Sequence, residues 1–327
     1  MSISSFFTGL AAVATLTLSL SSASVLAADV YPTKPIRMIV PFAPGGAADI
    51  LGRVVGDYLQ RELGQPIVMV NRDGAGTIIG VDAAAKSASD GYTLLISGDA
   101  ATVNTASNRK LPYDLMRDLQ PISLLYAGTQ FLLVNNNSPF KNIQDLVKFG
   151  KANPGAIRYG STGIGTSTHM SAETFNTAAG IKTVHIPYRG VAPAMNDLGG
   201  GHVDYVIAGS TAGIPAIKSG QLRALAITGR TRSAVLPDLP TFIEQGVNAE
   251  TGSWYGLFVP AGTPPEIVAR LHAATAKALA NPELGERLKQ LGGEARVTTS
   301  EQTTVFMRGE IQKFGNLMRE LNIKLVD

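Results

Sequence analysis

The stretch IVPFAPGGAADILGR, residues 39–53, decides how this chain is read. An apolar run breaks at Pro44-Gly45-Gly46 and passes into a helical pattern. Ile50, Leu51, Val54, Val55, Tyr58, Leu59 and Leu63 recur on one helical face, and Gly64 supplies a stop. Strand, glycine turn and helix, in that order, put backbone N–H groups and the positive end of a helix dipole at the carboxyl end of the strand. Gly45 and Gly46 allow close approach to the backbone. The motif alone leaves two readings open: an anion cradle, or a tight turn that needs glycine for geometry. No Gly-Lys-Ser/Thr follows, so it does not read as a Walker phosphate loop.

Outward from this stretch, IRMIVPF (36–42), IVMVNR (67–72) and YTLLISG (92–98) read as strands, with helical segments between them. This βαβαβ order predicts a parallel sheet covered by helices. A second set begins near Phe131, with FLLVNNN, IRYGS, TVHIPY, VDYVIAG and RALAITG as strands and helices starting near Asn142, Thr168 and Ala192. The last part, from Thr263 to Leu321, is helical, with an apolar stripe of Met307, Ile311, Phe314, Met318 and Leu321. It has too few strands for a third sheet, so it is expected to pack back on the first lobe. The chain would then cross between lobes twice, at 121–134 and 253–262, leaving a cleft and a hinge.

The composition narrows the function. The chain has 327 residues, 45% hydrophobic and 16% charged, with a net charge of +3 and no Lys/Arg-rich run. Disorder is excluded and a nucleic-acid partner is not expected. The absence of Cys removes disulfides, thiolate catalysis and Cys-based zinc sites. Residues 1–28 carry no charged side chain, and FFTGLAAVATLTLSL is followed by small residues, which reads as a secretory signal ending near Ala27. The n-region lacks Lys and Arg, so an uncleaved anchor is the alternative.

Other motifs follow. YGSTGIGTSTHMSAETF (159–175) opens a second helix with Ser161, Thr162, Gly165, Thr166, Ser167 and Thr168, which can cap the helix or face a ligand. Its Gly163-Ile164-Gly165 lacks the third glycine of a dinucleotide fingerprint. Two glycine-rich helix starts, one per lobe, form a pincer for an anion. Tyr188 and Arg189 sit in a polar turn, where Arg189 could meet a carboxylate or stay in solvent. Asp99, Thr102 and Asn104 would lie at the cleft rim, and Trp254 at the second crossing. The four His residues, 169, 185, 202 and 272, show no metal spacing, and no Ser-His-Asp constellation or acidic pair stands out. An exported enzyme would need a base near Ser161 or Ser167, and only His169 is close in sequence.

The motifs IVPFAPGGAADILGR, NRDGAGTIIG, DGYTLL, YGSTGIGTSTH, PYRGVAPAMNDLGGGHVD and WYGLFVPAGTPPEIVARL, in this order, resemble the Bug (Bordetella uptake gene) family of periplasmic receptors for tripartite tricarboxylate-type transporters. The resemblance covers essentially all of the chain after residue 28. It implies an α/β fold, a two-lobed periplasmic binding protein of type II-like form, with lobes joined by two crossing strands. The expected division is a signal peptide at 1–27, a first lobe of 28–125 plus 258–327, and a second lobe of 126–257. It also implies a small carboxylate held by backbone amides, hydroxyls and waters at Phe42 to Asp49 and Ser161 to Thr168. The candidate ligand-binding residues are therefore Phe42, Ala43, Gly45, Gly46, Ala47, Ala48, Asp99, Asn104, Ser161, Thr162, Gly165, Thr166, Ser167, Tyr188, Arg189, Ser210 and Thr211. Asp49 is expected to order its turn rather than touch an anion. Departures from the family pattern are Ala47, Thr77 where Gly is usual, Ala208 for a frequent Asp, and Ser210-Thr211 for a more apolar pair. They bear on ligand identity more than on class. The expectation is a non-enzymatic monomer without cofactor or metal, delivering its ligand to permease subunits, or serving a sensor kinase.

Overall fold

The computed structural model describes residues 31–107, 109–233 and 235–323. The expected leader, 1–27, lies outside the described residues. The chain begins β1 (Ile36–Val40), α1 (Ala47–Leu63), β2 (Ile67–Asn71), α2 (Ile78–Ala85), β3 (Thr93–Gly98), α3 (Asp99–Ala106), α4 (Leu115–Asp118) and β4 (Leu119–Gly128). It continues through β5 (Gln130–Asn135), α5 (Ile143–Ala152), β6 (Ile157–Ser161), α6 (Ser167–Ala179), β7 (Thr183–Pro187), α7 (Val191–Gly199), β8 (Tyr205–Gly209), α8 (Ser210–Lys218) and β9 (Leu222–Ile227). It ends with β10 (Ser253–Pro260), α9 (Pro265–Leu279), α10 (Pro282–Gln290), β11 (Gly293–Ala295) and α11 (Ser300–Glu320).

These strands form two mixed sheets, one ordered β11-β4-β10-β3-β1-β2 and the other β7-β6-β8-β5-β9. The parallel β2-β1-β3 and β7-β6-β8 trios lie within them. The fold is thus a two-lobed α/β architecture. All of β3 is buried, as expected of a strand with helices on both faces. α1 buries Leu51, Val55, Tyr58, Leu59 and Leu63 against β1 and β3, while Ile50, on the same nominal face, stays exposed. Gly64 ends α1 in the left-handed region at φ 71°.

The chain passes from one sheet to the other between Gly128 and Gln130, and returns at β10, which pairs antiparallel with both β3 and β4. α9 and α10 bury Leu271, Leu279, Leu284 and Leu288 in the core under α1. α11 places Met307 against Trp254 and Phe258 of the first sheet. Leu321, the end of its apolar stripe, is exposed. A smaller apolar cluster joins Val103 of α3 and Phe314, Leu317 and Met318 of α11 to Met170 of α6, so the two lobes touch there. Two elements differ from expectation. Residues 99–106, read as a rim, form α3, and a short β11 pairs with β4 at the sheet edge.

Candidate functional site

α1, α3, α6 and α8 start directly after, or one loop beyond, the carboxyl ends of β1, β3, β6 and β8. That is where open α/β sheets place ligands. The amides of a helix's first turn have no intrahelical carbonyl to bind, so each of these ends brings donors and a positive dipole end.

The loop before α1 is organised from beneath. Asp49 is buried at the third helical position and reaches back to accept from the Gly45 amide at 2.9 Å. Arg53 Nε donates to Asp49 Oδ2 at 3.0 Å, and Asn71 Nδ2 donates to Asp49 Oδ1 at 2.9 Å and to the Phe42 carbonyl at 3.0 Å. The Arg53 guanidinium, with the burial penalty overcome, holds the Asp49 carboxyl down at about 2. Asp49 is therefore the brace of the turn, as expected. Gly45 holds φ 81°, a left-handed value that favours glycine, and a Cβ there would meet nothing within 4 Å. Ala43, Gly45, Gly46 and Ala47 are exposed, Ala48 is buried, and no side chain caps Gly46. The first-turn amides thus remain available to a ligand.

Facing elements meet in one recess. Ala47 and Leu51 of α1 line it with Gly209, Ser210 and Thr211 at the start of α8, and with Tyr126, Thr129, Ser253, Tyr255 and Leu291. Among these lining residues no Lys or Arg appears. α8 starts at Gly209 without a side-chain cap. Its Ser210 hydroxyl donates to the carbonyls of Thr129 (2.9 Å) and Gly292 (3.0 Å), so it fixes the helix start rather than facing the recess freely. Thr211 is exposed. Tyr255 stacks edge-on against Phe42 with centroids 6.4 Å apart and lies 6.2 Å from Tyr126, giving the recess an aromatic wall.

The loop before α6 is wired through its own hydroxyls. Thr166 caps α6, accepting from the His169 amide and donating to the Gly163 carbonyl at 2.7 Å. Thr168 Oγ1 accepts from the Thr162 amide at 3.0 Å and shares a hydrogen bond with its hydroxyl at 2.9 Å. The Gly165 amide donates to His169 Nδ1 at 3.0 Å, which requires that nitrogen unprotonated. Ser161 Oγ lies 2.6 Å from His185 Nε2 and accepts from the Gly163 amide at 3.1 Å. His169 and His185 stack at 4.1 Å, and Tyr159 stacks on His185 at 4.8 Å. Burial holds both imidazoles neutral, His169 down at about 3 and His185 down at about 4. The Ser161–His185 contact has nucleophile-and-base spacing, and Ser161 is fully buried.

Other candidates are placed differently. Asn104 donates to the Gly76 carbonyl at 2.6 Å and supports the turn at Thr77. Thr77 holds φ 85°, which explains in backbone terms why glycine suits that position. The Tyr188 amide donates to the Ser161 carbonyl at 3.0 Å and its hydroxyl to Asp197 at 2.6 Å, while Arg189 is exposed. Asp99, in contrast, is buried, with the Ser167 hydroxyl of α6 stabilising its charge. Tyr126 and Tyr255 were missed from sequence. Strand alternation carried the signal: Trp254 faces the Phe306 side of the sheet, so Tyr255 must face the other.

Comparison with known proteins adds the following. The model of the tripartite tricarboxylate transporter family receptor matches residues 51–323. BugT of Bordetella pertussis is 38% identical over 306 residues, 93% of this chain and 94% of that protein. An R. palustris structure with adipate superposes with a TM-score of 0.81 at 30% identity, covering 90% of this chain and 100% of that one. MatC from Rhodopseudomonas palustris with bound malate gives a TM-score of 0.76 at 29% identity, covering 88% and 99%.

Proposed function

Because the chain belongs to the tripartite tricarboxylate transporter receptor family, we propose that it captures a small organic carboxylate between its lobes and delivers it to membrane permease subunits. The observation that carries this reading is the recess shared by α1 and α8. Two uncapped helix starts, one from each lobe, line it without a basic side chain among its lining residues. Amides and dipole ends suit a carboxylate, whose charge they share without a counter-ion. The wired loop at Ser161–Thr168 supplies a third helix start. Structures of relatives with adipate and malate support the ligand class. The reading places the protein in the periplasm, with residues 1–27 as the export signal. No helix among the described residues is long and apolar enough to cross a membrane.

The ligand would favour the lobe-closed state because only that state lets both jaws touch it. The test is a thermal-shift screen over mono-, di- and tricarboxylates, aliphatic and aromatic. At 100 times its dissociation constant a ligand adds about 2.7 kcal/mol of stability, a rise of several degrees. A flat response across the panel overturns the proposal.

A further inference from the structure

Asp99 does not fit an anion cradle. It opens α3, is only 5% exposed, and its Oδ2 has no hydrogen-bond partner among the described residues. The groups around it come from four elements. The Ala100 amide of α3 and the Ser167 hydroxyl of α6 stabilise its charge, and Tyr255 of β10 pairs with Gly98, the residue before it. From α11, Glu310 opposes the charge and Lys313 favours it, and these two are paired with each other at 2.6 Å. No cation is therefore dedicated to Asp99. Burial outweighs the two stabilising hydrogen bonds and pushes the carboxyl up to about 7.

A buried carboxyl with a vacant acceptor, one residue beyond the Gly98 that pairs with Tyr255 of the recess wall, would repel a second anion in the proposed carboxylate site and be satisfied by a hydrogen-bond donor. Its surroundings reach both lobes, since Ser167 begins α6 and the preceding Gly98 pairs with Tyr255, which walls the recess with Ala47. We infer that Asp99 is a specificity-determining residue whose Oδ2 accepts from a hydroxyl or ammonium group on the ligand, so that the ligand is a hydroxy or amino acid rather than an unsubstituted one. This rests on the carboxylate reading above.

The test is calorimetric titration with matched sets: propionate, lactate and alanine; succinate, malate and aspartate; glutarate, 2-hydroxyglutarate and glutamate. In at least one set the substituted acid should bind about tenfold or more tightly than its plain parent. Asp99→Ala should remove that preference, so that the plain and substituted acids of the set bind alike. Asp99→Asn, which keeps an acceptor without charge, should spare a hydroxy preference and abolish an amino one, separating the two donors. If Asp99→Ala does not fold, Asp99→Leu, close in size and without an acceptor, takes its place. For an amino acid, affinity should rise through about pH 7 as Asp99 ionises. A plain acid that binds as tightly as its substituted forms, or a preference that survives Asp99→Ala, overturns the inference alone. If no acid in any set binds, the carboxylate reading falls with it.

Discussion

Asp49 shows how one side chain holds a turn whose proposed function is performed by backbone. It gathers Gly45, Arg53 and Asn71 from three positions. Asp49→Ala should lower stability by about 2 kcal/mol, a figure that already allows for solvent screening at the half-exposed Arg53. Urea denaturation reads this loss, and ligand affinity should fall with it as the loop loosens. Ala47 gives a cleaner test of the amide itself. Proline is accommodated at the first helical position, and Gly46 before it is extended, at φ −78° and ψ 169°, as a residue preceding proline must be. Ala47→Pro should therefore leave the melting temperature nearly unchanged and weaken carboxylate binding about tenfold, the loss of one charge-assisted hydrogen bond. Unchanged affinity would remove the Ala47 amide from the site.

At the scale of elements, the α6 entry is a pH-sensitive structure. Its glycine turn is anchored on His169 Nδ1, which must stay unprotonated. The fold refuses protons on His169 and His185 down to about 3 and about 4, whereas an ordinary histidine takes one up at 6.5. Between those limits the unfolded chain binds more protons, so these groups make stability rise with pH up to about 6.5 and add no slope above it. Asp99 acts in the opposite direction, since the fold keeps its proton up to about 7 while an ordinary aspartate has lost it by 3.8. With two histidines against one carboxyl, stability should climb between about pH 4 and 6.5. His169→Asn, which offers an acceptor where Nδ1 stood, should make that climb shallower in melting curves taken across pH.

Which elements were legible follows from their burial. The βαβ units of both lobes were readable because each strand is a short apolar run and α1 repeats its buried face at helical spacing. α3 was not, because DAATVNTA buries Asp99, Thr102 and Asn104 as well as Val103, leaving no apolar stripe. The same feature hid part of the site's chemistry. That Asp99 lacks a partner and that the Ser161–Thr168 hydroxyls bond to one another are tertiary facts. His185 on Ser161 joins residues 24 positions apart in the chain, through the parallel pairing of β6 and β7.

For the whole molecule, the contact of Val103 and Phe314 with Met170 ties the lobes by apolar packing. Phe314→Ala should cost about 3 kcal/mol and enlarge the radius of gyration in solution scattering. The stability loss without the expansion would show that the cluster serves one lobe's core alone. The strap from Ser210 and Thr129 to the Gly292 carbonyl holds the lobes at a different point. The two lobes are thus joined by two contacts, one apolar and one polar. The amide-built anchor has a further consequence, and it concerns descent. Every residue except proline carries the same N–H, so side-chain exchanges that spare the braces Gly45 and Asp49 would leave the proposed anchor working. A lineage can drift in sequence, exchange the side chains around the recess and acquire new nutrients without ever passing through a receptor that has lost its hold on acids.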